Sequence, residues 1–177
     1  MMLTWIGAVL TIIGSAGAGA CICAERKKRA MQLALLGRAF ELTAGEIAYS
    51  RISLPEVFTE VGEKLKMQEQ ERLGETLEKI GNRLADGSGQ DITLVWQEEM
   101  GDYLKQTGLK AAQKEQALAF PLALCYQDGQ RQQAAVLDFA AGMQEAAFKT
   151  AERAAEENRI TIAASLALGA FAAILLI

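Results

Sequence analysis

The chain of 177 residues contains no histidine. That single absence removes the usual general base, the commonest zinc ligand, and the serine and cysteine triads. Cysteine is scarce: Cys21, Cys23 and Cys125 are the full set. Cys125 has no histidine to activate it. Cys21 and Cys23 close an apolar segment, where small apolar filler is the plain reading and reversible acylation the alternative. There is no Gly-rich, Lys-terminated phosphate loop, and Gly14, Gly17 and Gly19 fall within the same apolar segment, away from any nucleotide. Adjacent carboxylates such as Glu98 and Glu99 point in different directions on a helix and make no acid/base pair. The sequence therefore points to no catalytic residue, no metal and no cofactor.

Proline is confined to Pro55 and Pro121, and β-branched residues are few, whereas Ala, Leu, Glu, Gln and Lys abound. This composition favours helix throughout and leaves no convincing strand. The expected fold class is all-α, an antiparallel bundle of about six helices flanked by two transmembrane helices.

Charge is missing from both ends. Every Asp, Glu, Lys and Arg lies between Glu25 and Arg159. Leu3 to Ala24 is about 22 uncharged residues, roughly 33 Å as a helix, and Ile160 to Ile177 is about 18, roughly 27 Å. Three segments follow: a transmembrane helix at 1–24, a domain at 25–159, and a second transmembrane helix at 160–177. The central segment, roughly 135 residues, is an ordinary size for one core. Lys and Arg beside a spanning helix stay on the cytoplasmic side. Arg26, Lys27, Lys28 and Arg29 follow the first apolar segment, and Lys149, Arg153 and Arg159 precede the second. Both flanks orient the domain to the cytoplasm, with contact to anionic lipid as a by-product. Ala18, Gly19, Ala20 and Cys21 have the shape of a lipoprotein cleavage site, but a signal peptide carries its cations before the apolar stretch, not after it. The net charge of −4 sits wholly in the central domain, which has no basic stripe to bind nucleic acid.

The helices can be placed by periodicity. The first continues to about Tyr49 with Leu33, Leu36, Phe40 and Ile47 on one face, stopping near Ser50 and Arg51. Ser53 and Glu56 form a capping box for a second, with Ile52 and Val57 as its staple and Pro55 harmless in the first turn. A third presents Leu73, Leu77, Ile80 and Leu84 before the turn at 86–89. A fourth follows Asp91, with Ile92, Val95, Trp96, Met100, Tyr103 and Leu104 inward and Gly108 placed as a left-handed cap. A fifth, Ala111 to Tyr126, carries Leu118, Leu122 and Cys125 and is kinked at Pro121. The last runs without a proline from Gln130 to the end, with Val136, Phe139, Met143 and Ala147 facing the bundle.

Small residues recur at four-residue spacing in both apolar segments: Gly14 with Ala18, Ser15 with Gly19, and Ser165, Gly169 and Ala173. Such spacing lets helices approach closely in lipid, so the anchors can pair with each other or with partner subunits; chance in Ala-rich and Gly-rich helices yields it too. Glu69, Glu71, Glu75 and Glu78 form a solvated face or a docking surface for a basic partner.

The residues Glu46, Ile47, Tyr49 and Leu54, then Phe120, Leu124, Asp128, Gln132 and Gln133, stand in a telling order and spacing. With the two-anchor layout and the overall length, they make the chain resemble the stage III sporulation protein AB (SpoIIIAB) family along essentially its whole length. Pro121 and Cys125 depart from it where glycines are expected, and Ala134 and Ala135 replace a more polar, basic stretch. The resemblance implies a cytoplasmic six-helix bundle similar to the platform-protein domains of type II secretion and type IV pilus machines. It also implies a non-enzymatic platform in the assembly joining mother cell and forespore. That platform would receive a secretion-type ATPase, stage III sporulation protein AA, alongside the other stage III membrane proteins. Glu46, Tyr49, Asp128, Gln132 and Gln133 are then candidates for interhelical hydrogen bonds or partner contact. The competing reading is a two-pass signalling or scaffold subunit unrelated to sporulation.

Overall fold

The computed structural model describes residues 2–49, 52–86, 89–125 and 128–176, without the side chains of residues 2–6, 8, 9, 11, 12, 173, 175 and 176. Expectations resting on Ser50, Arg51, Gly87, Ser88, Tyr126 or the side chain of Ala173 lie outside the described residues. Six α-helices carry the chain: α1 (Met2–Tyr49), α2 (Leu54–Met67), α3 (Glu71–Ala85), α4 (Ile92–Lys105), α5 (Ala111–Leu118) and α6 (Gly129–Leu176). A 3-10 turn, Phe120–Leu124, follows α5. No strand occurs among the described residues.

Contacts divide the chain into a bundle, residues 32–147, and a helix pair made of residues up to Met31 and from Phe148 onward. The expected domain began at residue 25 and ended at 159. The bundle is shorter because the charged stretches 25–31 and 148–159 belong to the helix pair.

The bundle is built around aromatic side chains. Phe40 of α1 stacks on Phe120 with centroids 4.2 Å apart, and meets Phe139 of α6 edge-on at 5.2 Å. Trp96 of α4 lies against Phe120 at 4.8 Å and Phe58 of α2 at 5.7 Å. The indole N–H of Trp96 is buried and donates to the Ala117 carbonyl at 3.1 Å, so it carries no desolvation debt. The inward residues expected of α1, α3, α4 and α6 line this core, including Leu33, Leu36, Leu73, Leu77, Ile80, Val95, Met100, Val136 and Met143.

The helix ends follow local chemistry. At α2, the Ser53 backbone N–H and hydroxyl both donate to Glu56, at 2.9 and 3.0 Å. These bonds hold the Glu56 carboxyl below its usual range. At α4, Asp91 accepts from the Thr93 N–H at 2.8 Å. The end of α2 is a Schellman motif: Gln70 N–H donates to Leu65 O and Glu69 N–H to Lys66 O, each at 3.0 Å. Glu69 occupies its left-handed position at φ 62°, where glycine would avoid a cost of about 1 kcal/mol.

Two expectations about chain breaks are corrected. Gly108 is not a left-handed cap; α4 closes at Gln106, and the Gly108 N–H donates instead to Gln32 Oε1 at 3.1 Å. The fifth helix is not kinked at Pro121 but ends before it. Proline has no N–H to continue the ladder, and the chain tightens into a 3-10 turn in which Leu122 N–H donates to Ala119 O at 3.0 Å. The change of period turns Phe120, Ala123 and Leu124 inward and leaves Leu122 and Cys125 exposed.

Three glycines that sequence periodicity passed over set the α2–α3 hairpin. A Cβ on Gly62 would stand 2.7 Å from the Gly74 carbonyl, one on Gly74 would stand 2.6 Å from the Gly62 carbonyl, and one on Gly81 would stand 2.6 Å from the Pro55 carbonyl. The obstacle in each case is backbone, which cannot rotate away.

In the helix pair, Gly19 lies against Ser165, whose Oγ would be 2.6 Å from an added Cβ. Arg26 reaches across with Nη1 donating to Thr161 Oγ1 at 3.0 Å and Nε standing 3.3 Å from Glu157. Leu10, Ile13 and Ile22 of α1 and Ile160, Ile162, Leu166, Leu168, Phe171 and Ile174 of α6 are exposed. Among the described residues, no helix is long and apolar enough to cross a membrane. The structure thus does not establish the expected spans at 1–24 and 160–177, parts of which lie outside the described side chains.

Replacing Gly62, Gly74 or Gly81 by alanine should each destabilise the protein by about 1–3 kcal/mol through forced separation of α2 and α3. Gly101→Ala in α4, where an added Cβ meets nothing within 4 Å, should stabilise it by about 0.5–1 kcal/mol. Urea unfolding followed by helical circular dichroism reads both; equal signs for the two sets would refute the packing assignment.

Candidate functional site

The antiparallel register of α1 and α6 is fixed within the bundle by Phe40 against Phe139 and by Gly37 against Gln144. Carried along both helices, it sets Tyr49 level with roughly residues 130–132 at one α-helical rise per residue. The five residues singled out from sequence thus share one end of the bundle.

Their roles there differ. Glu46 is half-buried and ion-paired to Lys64 of α2. Glu60, one turn before Lys64, shares this cluster: its hydrogen bond to Glu46 raises the Glu60 carboxyl above the usual range, while the bond to Glu46 raises the Lys64 ammonium. Asp128 starts α6. Its side chain accepts from the Gln130 N–H at 3.3 Å and its carbonyl from the Gln132 N–H at 2.9 Å. The Gln132 side-chain amide donates to the Leu124 carbonyl at 2.9 Å, tying α6 to the 3-10 turn. Gln133 is half-buried. Tyr49 and Asp128 are both exposed, Tyr49 with 92% of its surface. Glu46 and Gln132 therefore link neighbouring elements, Asp128 caps its own helix, and Tyr49 presents a large exposed ring.

The same end of α2 borders a groove of about 680 Å³ that the sequence reading missed. Ile52, Pro55 and Leu84 give it apolar walls, and Glu56, Glu60 and Glu63 line it with carboxylates. The signal was present: three glutamates at i, i+4 and i+7 fall on one stripe of a helix. The acidic face expected from sequence is Glu69, Glu71, Glu75 and Glu78. The first three are exposed, and Glu78 is half-buried with its carboxylate 2.6 Å from the Lys66 ammonium.

Glu98 and Glu99 converge despite adjacent positions, because the forked Arg83 guanidinium on α3 takes one carboxylate on each side at 2.8 Å. This is an α3–α4 clamp. Among the described residues, no group of His, Cys, Asp or Glu could hold a metal ion.

Of the residues named for orientation, Arg26 is taken up inside the helix pair, Lys27 and Lys28 are exposed, and Arg29 is half-buried. Of those named for packing, Gly14 faces open space, Ala18 is exposed, and Ser165 and Gly169 lie inward. The close approach on α1 falls on Gly19, one residue beyond the Gly14–Ala18 stripe.

The described residues thus form an all-helical bundle and an antiparallel helix pair, each tied together by ion pairs. The family model for stage III sporulation protein AB matches residues 4–177, and the chain belongs to that family. No curated protein and no solved structure matches it.

The Glu60 carboxyl, raised in the folded state, binds its proton more tightly there than in the unfolded chain. Its contribution to stability is full below the usual glutamate range and is lost as pH rises through the folded value. Thermal midpoints should therefore show a small decline across that window in the native protein, and Glu60→Gln should flatten it. An unchanged slope in the variant would remove the carboxylate pair as its cause.

Proposed function

We propose that this sporulation protein is a non-enzymatic membrane platform of the stage III assembly between mother cell and forespore, docking a secretion-type ATPase through its helical bundle. The observation that carries the reading is the apolar surface of the helix pair. Among the described residues, nine large apolar side chains stand exposed on α1 and α6, from Leu10 to Ile22 and from Ile160 to Ile174. Exposed apolar side chains in such number are costly in water and natural in lipid. Only uncharged residues precede Glu25 and follow Arg159, and basic residues at the flanks support a cytoplasmic bundle under the rule that such residues stay on that side.

The docking end is the one that gathers Tyr49, the start of α6 and the carboxylate-lined groove. Tyrosine supplies large contact area at low entropy cost, and acidic rims favour a basic partner. The family resemblance implies a likeness to secretion and pilus platform domains, which is in keeping with this reading. A bundle joined to the bilayer through α1 and α6 can pass force from a soluble motor to membrane subunits without chemistry of its own. A two-pass signalling or scaffold subunit is the competing reading.

Co-purification of the full chain in detergent with the ATPase from the same genome tests the proposal. Stable association is expected, weakened about tenfold or more by Tyr49→Ala and left intact by Gly101→Ala. Repeated failure of the native chain to associate would overturn the docking role.

A further inference from the structure

The polar crossing of the helix pair sets a level. Arg26 of α1 reaches Glu157, Asn158 and Thr161 of α6, so residues 25–28 and 156–161 stand at one height. Three exposed cations share it: Lys27, Lys28 and Arg159. Immediately past them the exposed surface turns apolar at Ile22, Ile160 and Ile162. Two exposed carboxylates, Glu25 and Glu156, occupy the same height, and Glu157 is engaged by Arg26.

We propose that Lys27, Lys28 and Arg159 form a collar that binds the phosphate of an anionic phospholipid headgroup. The inference rests on the membrane reading above and adds which side chains hold the headgroup and through which of its groups. Cations bordering an apolar belt lie where headgroup phosphates lie when such a belt is immersed, and no other ligand is held at that height by both features together. The local excess is a single positive charge, so discrimination comes from direct ammonium and guanidinium contacts rather than from a diffuse field. Arg26 is a positioning residue: its guanidinium is committed across the pair and holds the two helices at the register that aligns the collar.

The full chain is reconstituted into phosphatidylcholine vesicles containing phosphatidylglycerol, and the lipids retained on the detergent-extracted protein are weighed by native mass spectrometry. The expected result is enrichment of phosphatidylglycerol over its bulk fraction by about fivefold. It should be lost in the K27Q/K28Q/R159Q variant and increased in E25K/E156K, a gain that misfolding cannot produce. Inorganic phosphate at matched ionic strength should leave the enrichment in place. Enrichment unchanged in both variants, no enrichment in the native chain, or its removal by inorganic phosphate would each overturn the collar. Alkaline carbonate washing separates the two readings: a chain stripped from the vesicles refutes the membrane anchors, whereas a retained chain without enrichment refutes only the collar.

Discussion

The bundle depends on Phe40. Its ring touches Trp96, Phe120 and Phe139, joining α1 to α4, to the 3-10 turn and to α6 at one point, and Trp96 extends the cluster to Phe58 on α2. Each such aromatic contact adds about 0.5–1.5 kcal/mol beyond the area it buries. The consequence reaches further than stability. With α1 fixed on α6 at Phe40 and Phe139, the last turns of α1 are obliged to meet the first turns of α6, and that obligation creates the end where Tyr49 and Asp128 lie. Pro121 participates by ending α5: the tighter turn is what brings Phe120 into the stack.

Much of this was legible. Helix periodicity located every α-helix and most of the inward residues, because apolar side chains at three- and four-residue spacing leave few alternatives. The capping box at Ser53 and the cap at Asp91 were readable for the same reason: their geometry is local. What failed was also physical. Gly108 was assigned a left-handed cap on residue type, but its N–H is claimed by Gln32, some 76 positions away in sequence. Gly62, Gly74 and Gly81 were overlooked because glycine carries no signal of its own in a hydrophobic pattern. Their role appears only when the facing backbone is placed beside them.

The candidate site divides in a similar way. Order and spacing single out the five residues, and the bundle gathers them at one end, yet two of them, Glu46 and Gln132, link neighbouring elements. Gln132 braces the 3-10 turn and Asp128 caps α6, tasks that sequence cannot distinguish from partner contact. The groove beside them was missed because its lining comes from α2 and from the far end of α3. A stripe of glutamates on one helix reads as solvated until a second helix forms the opposite wall.

The helix pair bears on the proposal that the bundle is held at a membrane from the cytoplasmic side. Cys125 offers the direct measurement, since it is exposed on the bundle whereas Cys21 and Cys23 lie in the helix pair. In a chain carrying serine at positions 21 and 23, a membrane-impermeant maleimide should fail to label Cys125 in intact sporulating cells and label it fully once the membrane fraction is opened. Labelling in intact cells, or recovery of the chain in the soluble fraction, would contradict the account.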